Sequence, residues 1–275
     1  MQQCSNSLTA NTTVIFLHLP KAAGTTLKDI LHRQYRQNEI YELNHTQFIQ
    51  AQAEFAQLSH IEKAKIKLLM GHMYFGLHEF TTAPVTYITM LRNPIDRAIS
   101  YYHFVKNLTG HQDSELIRSK NISLKEYCQM QRENMCNGQT RFLSGTREFE
   151  SCSFHQLELA KQNLQKYFAL VGIQERFDES LLLLRAKLNW KKSPFYYRRN
   201  TNRTKSYAQL GISTDTLATI EKYNALDLEL YEYAYKMFAR ELAQHEQNQQ
   251  KLRLFKLSNQ LYGRYSMFAQ KLIFQ

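Results

Sequence analysis

The sequence is poor in residues that break or cross-link a chain. Nine glycines and four prolines in 275 residues argue against a long disordered linker, and no internal repeat or low-complexity tract interrupts the chain. The four cysteines (Cys4, Cys128, Cys136, Cys152) show no Cys-x-x-Cys spacing and no matched histidines, which argues against a zinc site. Cys136 and Cys152 remain candidates for a pair in an oxidising compartment. No apolar run reaches membrane-spanning length without charges. The first residues lack a basic start followed by an apolar core, so no signal peptide is expected and the chain reads as soluble and cytoplasmic. Acids are scarce as well: 24 Asp and Glu stand against 35 Lys and Arg, a formal net charge of +11. That excess favours anionic partners, from nucleotides and sulfated or carboxylated glycans to nucleic acid or acidic lipid, without choosing among them.

What is present fits a globular protein. With 43% hydrophobic residues the chain is long enough to bury a full core, and one α/β domain is the natural expectation. The stretch that organises it is 13–31. Val14, Ile15, Phe16 and Leu17 make a short apolar run of strand character. Leu19, Pro20, Lys21, Ala22, Ala23, Gly24, Thr25 and Thr26 then form a tight turn, and Leu27, Ile30 and Leu31 recur at helical spacing. Strand, small-residue loop and helix N-terminus together make an oxyanion cradle. Backbone N–H groups and the helix dipole face the anion, Thr25 and Thr26 add hydroxyls, and Lys21 adds a charge. The usual nucleoside-triphosphate loop ends in Gly-Lys-Ser/Thr; here the lysine precedes the glycine, so the ligand needs phosphate-like oxygens but no metal.

The pattern predicts helices over 27–37, 48–67, 124–132, 157–166 and 178–188, and one or two over 215–247 with Leu226, Leu230, Tyr233, Ala234 and Met237 on one face. Strands are expected at 67–71, 85–91 and 168–173. Arg92 follows the strand at 85–91, with Asn93 as N-cap and Pro94 in the first turn of a helix that carries Ser100. The segment 191–207 reads as a basic, aromatic loop, and 251–274 as a basic amphipathic helix expected to pack on its own domain or on a second subunit, with weak contact to an acidic membrane as the lesser alternative. Alternation of strands and helices implies an α/β fold: a P-loop-like domain over 13–247 with a mostly parallel sheet, helices on both faces, and a helical C-terminal extension over 248–275.

Three features now stand together: LPKAAGTTL after the first strand, LRNPIDRAISYYHF after a later one, and a basic loop with Thr201, Asn202, Arg203, Thr204 and Lys205 before the C-terminal helices. The combination resembles the sulfotransferase superfamily that uses 3′-phosphoadenosine-5′-phosphosulfate (PAPS), and most of all its carbohydrate branch of heparan/dermatan 2-O- and 6-O-sulfotransferases and bacterial relatives. The likeness runs from about Thr13 to Leu242. It implies that Lys21, Ala22, Ala23, Gly24, Thr25 and Thr26 hold the 5′-phosphosulfate, with Lys21 at the bridging oxygen. By the same resemblance Arg92 and Ser100 grip the 3′-phosphate, and Thr204 and Lys205 belong to a loop closing over the donor. His72, after Gly71, matches the catalytic base. Gln139 and Arg141 match a segment lining the acceptor or donor cleft. The implied partner is a carbohydrate acceptor rather than nucleic acid.

The chemistry agrees. A sugar hydroxyl needs its proton removed, and an imidazole suits that work. Charge growing on the leaving oxygen needs a fixed cation, for which Lys21 is placed. His18 is expected to pack or to orient Lys21, and His78 is a weaker candidate base. Tyr101, Tyr102 and Phe104 read mostly as core, while Tyr196 and Tyr197 are candidates to stack on adenine. Two other readings stay open: a P-loop nucleotide or sugar kinase, and a non-catalytic receptor for an anionic glycan or nucleic acid.

Overall fold

A parallel strand is buried on both faces, and that condition is met along the whole of β1 (Thr13–Leu17), where every residue is buried. In the computed structural model, which describes residues 11–43, 48–81, 83–110, 112–146, 152–197, 206–244 and 248–273, β1 is the central strand of a five-stranded sheet. The others are β2 (Ile40–Glu42), β3 (Leu68–Gly71), β4 (Val85–Leu91) and β5 (Phe168–Ile173). All pairings are parallel and the order is β2-β3-β1-β4-β5. The chain leaves β3 on one side of β1 and re-enters the sheet as β4 on the other. The carboxyl end of β1 is thus flanked by those of β3 and β4, the crevice where open α/β sheets bind ligands.

Twelve helices are described. α1 (Gly24–Gln34), α2 (Phe48–Gln57) and α3 (His60–Lys65) precede β3; α4 (Pro94–Lys106), α5 (Gln112–Ser119), α6 (Leu124–Gln129), α7 (Gly138–Ser144) and α8 (Phe154–Tyr167) lie between β4 and β5. α9 (Phe177–Lys187), α10 (Thr214–Tyr223), α11 (Ala225–Ala243) and α12 (Asn248–Ile273) follow. The main core joins the sheet to α1, α8, α9 and α11. A second cluster, with Ala98, Tyr102, Val105, Tyr127 and Ile220, binds α4, α6 and α10 together.

The structure corrects several boundaries. The helix expected over 48–67 is two, because Ser59 starts α3 with a capping box: its Oγ accepts from Glu62 N at 3.3 Å and its own N–H donates to Glu62 Oε2 at 2.9 Å. α1 stops at Gln34, where Tyr35 turns extended. On α11 the buried line is Asp227, Leu230, Ala234 and Phe238, rotated from the expected apolar face because Asp227 is drawn inward by polar partners. Cys128, Cys136 and Cys152 are free thiols. The Cys136–Cys152 bridge weighed from sequence is not formed; the Cys136 thiol lies 3.4 Å from the Cys128 carbonyl instead.

Candidate active site

Register builds the first part of the site. Leu17 pairs with Gly71, so the next residues, His18 and His72, emerge side by side at the sheet's carboxyl edge. Their rings stack with centroids 4.3 Å apart, and His18 also stacks on Phe16. His72 Nδ1 lies 2.7 Å from the His18 carbonyl oxygen. A carbonyl only accepts, so Nδ1 carries the proton and donates it, and Nε2 is the acceptor nitrogen of the neutral ring. With Nδ1 so engaged, a neutral ring keeps its lone pair on Nε2, the nitrogen at which a proton could be taken from a hydroxyl.

The loop after β1 is shaped by two residues in the left-handed region, Lys21 (φ 66) and Ala23 (φ 58). α1 then starts without a side-chain cap and without an acid in its first turn. The N–H groups of Gly24, Thr25 and Thr26 are ones a helix leaves without internal partners, at the positive end of its dipole. Gly24 is required by His18: a Cβ there would sit 1.8 Å from the imidazole. Gly24→Ala is therefore expected to push His18 out of its stack and destabilise the protein by about 1–3 kcal/mol. A variant that melts at the parental temperature contradicts this packing.

Lys21 lays its ammonium over the Phe104 ring, 4.3 Å from the centroid. Burial, and then the Arg92 charge, hold its pKa below the ordinary lysine value. Arg92 itself turns toward the loop, and its Nη1 donates to the Lys21 carbonyl at 3.2 Å. Its Nε is buried without a hydrogen-bond partner among the described residues. Burial lowers the guanidinium's pKa, while Asp96 and Glu175 work against that shift. Asp96, Ser100 and Phe104 are spaced four apart on α4 and share one face. Tyr207 OH donates to Asp96 Oδ1 at 3.0 Å at one end of this stripe, and Lys21 meets Phe104 at the other. Half-buried Ser100 occupies the middle of the stripe.

Behind Arg92 lies a buried polar network. Gln139 clamps the Arg92 backbone from both sides: Arg92 N–H donates to Gln139 Oε1 and Gln139 Nε2 donates to Arg92 O, each at 3.0 Å. Asp227 in turn accepts from Gln139 N (3.1 Å), Thr140 N (2.7 Å) and Thr140 Oγ1 (2.8 Å). Arg97 neutralises it across 3.6 Å with both side chains sealed from solvent. Asn137, itself left-handed, accepts from Leu226 N and Asp227 N and so caps α11. Asp227→Ala strands the Arg97 charge and is expected to cost about 3–5 kcal/mol of stability. Denaturant unfolding measures it; a loss below about 1 kcal/mol would mean that the network does not hold the site.

The other expected site residues are placed as follows. Gln139 and Arg141 are 0% and 2% exposed, so neither side chain lines an open cleft. Thr204 and Lys205 lie outside the described residues. His78 bonds the Tyr87 hydroxyl at 3.1 Å within a cluster containing Phe75 and Tyr167, and burial lowers its pKa. Tyr196 is buried with its hydroxyl on Asp178, not available to a purine. Phe104 is the reverse case: expected in the core, it is 44% exposed beneath Lys21. Its spacing from Ser100 was the signal. Glu175 is a further participant, accepting from Asn93 N and from Tyr231 OH, each at 2.9 Å, which braces the start of α4.

A family model described as galactose-3-O-sulfotransferase matches residues 2–260. The chain belongs to the galactose-3-O-sulfotransferase family. Similar proteins include a heparin sulfate O-sulfotransferase of Drosophila melanogaster, 27% identical over 265 residues, 87% of this chain and 73% of that protein. Galactose-3-O-sulfotransferase 3 of Bos taurus is 27% identical over 253 residues, 84% of this chain and 58% of the relative, so the chain spans less than two thirds of that protein. Heparan sulfate 2-O-sulfotransferase 1 of Homo sapiens is 25% identical over 256 residues, 82% of this chain and 70% of the relative. Among solved structures, mouse sulfotransferase SULT7A1 complexed with PAP aligns with a TM-score of 0.38 at 13% identity, covering 78% of this chain and 63% of that one. This galactose-3-O-sulfotransferase family member is accordingly a sulfotransferase, and the kinase and receptor readings give way to it.

Proposed function

We propose that this family member transfers the sulfuryl group of PAPS to a hydroxyl of a glycan, through the residues gathered at the ends of β1, β3 and β4. The observation that carries the reading is the turn of Arg92 onto the Lys21 loop, with a buried Nε still lacking an acceptor. An orphaned guanidinium N–H beside an uncapped helix N-terminus fits two phosphate-like groups of one ligand. Arg92 and Ser100 take the 3′-phosphate; Gly24, Thr25 and Thr26 take the 5′-phosphate through backbone and hydroxyl donors.

His72 Nε2 accepts the proton of the acceptor hydroxyl as its oxygen bonds to sulfur. The bond from sulfur to the bridging oxygen breaks, and the electron pair stays on that oxygen. Lys21 neutralises the charge developing there, an interaction stronger in the transition state than in the ground state. His18, by accepting from His72 Nδ1 and stacking on its ring, sets which nitrogen does the work. Gln139, Asp227 and Glu175 act as positioning residues through the Arg92 and Asn93 backbone. The net positive charge suits an acidic polysaccharide as acceptor.

The test is incubation with radiolabelled PAPS and a panel of glycans. Label transferred to a glycan in the presence of a chelator supports the reading. Turnover of ATP that needs Mg²⁺, with PAPS left intact, overturns it.

A further inference from the structure

α12 has two faces with different fates. Phe255 and Tyr262 stack on Phe195, with centroids 5.7 and 5.8 Å away. Asn259 Oδ1 accepts from Tyr196 N at 2.7 Å. These contacts hold the helix against the domain and so determine which side faces out. The outer side carries Leu254, Leu257 and Leu261, which are 64%, 59% and 65% exposed. The same three- and four-residue spacing continues in the sequence at Tyr265, Phe268 and Leu272. Lys251, Arg253 and Lys256 are exposed beside the leucines. With Arg264 and Lys271, residues 248–275 hold five basic residues and none of the chain's 24 acids.

We propose that this face of α12 docks on an anionic lipid surface. The leucines would enter the boundary between headgroups and acyl chains, and the lysines and arginines would lie among the headgroups. Charge selects this occupant. A second copy of the helix would set five positive charges against five, and a neutral bilayer would leave them without counter-charges. No helix among the described residues is long and apolar enough to cross a membrane, so the attachment lies in the interface plane. The inference stands apart from the sulfuryl-transfer reading, since no site residue lies on α12.

Vesicle flotation of the full chain tests it, with phosphatidylcholine vesicles that do or do not contain phosphatidylglycerol. Binding is expected to be at least about tenfold tighter to the anionic vesicles and to weaken as salt rises. The combined change Leu254→Ser, Leu257→Ser, Leu261→Ser should abolish flotation at an unchanged melting temperature, because all three positions are exposed. Lys251→Glu, Arg253→Glu, Lys256→Glu should abolish it as well. Parental chain that stays in solution with both vesicle types overturns the proposal, and so does equal binding to both. A dimer that forms without flotation and that the serine changes dissolve would assign the face to a second copy.

Discussion

Lys21→Ala is expected to lower kcat by about 10²–10³-fold, the usual loss when a group aimed at a developing oxyanion is removed. The reason is positional. Lys21 sits in a left-handed conformation in the turn after β1, and its ammonium rests on the Phe104 ring. A half-buried cation is worth more to a charge that appears only in the transition state than to a donor already solvated by backbone N–H groups. Donor affinity should therefore fall much less than kcat. Lys21→Arg should recover only part of the loss, because a planar fork cannot reproduce a compact ammonium over the same ring. Single-turnover kinetics with saturating PAPS reads the effect. A kcat within tenfold of the parent removes Lys21 from the leaving-group role.

His72→Ala is expected to cost about 10²–10⁴-fold in kcat, the range for a positioned acid–base group. Its Nδ1 is committed to the His18 carbonyl at 2.7 Å, so only Nε2 can receive the acceptor proton. In the proposed role His72 serves the acceptor and not the donor, so affinity for 3′-phosphoadenosine-5′-phosphate should stay near the parental value. Added imidazole should restore part of the rate. If donor affinity collapses together with the rate and imidazole restores nothing, His72 is a structural partner of His18 and the base lies elsewhere.

Much of this site is written in local patterns. The β-branched and aromatic stretches at Val85–Leu91 and Phe168–Ile173 became β4 and β5 with the expected limits, because such side chains suit a mostly buried parallel strand, and the two threonines of β4 satisfy their hydroxyls on the Tyr167 and Leu17 carbonyls. Asn93 and Pro94 start α4 as their types require, with Asn93 Oδ1 accepting from Ile95 N at 3.0 Å. The parts that stayed hidden depend on partners far away in the chain. β2 has three residues and no apolar run, so only its pairing with β3 reveals it. Asp227 looks like one more solvated acid on an amphipathic helix until Arg97 and Thr140 surround it. Gln139 is expected at the acceptor or donor cleft only through the resemblance of its segment, yet here both ends of its amide hold the Arg92 backbone. The His18–His72 stack follows from the register of β1 against β3, a quantity that no local pattern contains.

The central claim is that one end of the donor is held by the β1 loop and the other by Arg92. Calorimetric titration with 3′-phosphoadenosine-5′-phosphate and with adenosine 5′-phosphate, in the parent and in Arg92→Ala, tests it most directly. A charge-assisted contact to the 3′-phosphate predicts a preference of about 10- to 150-fold for the bisphosphate in the parent, nearly erased in Arg92→Ala. Equal affinity for the two nucleotides in the parent, or a preference that survives in Arg92→Ala, would contradict the assignment.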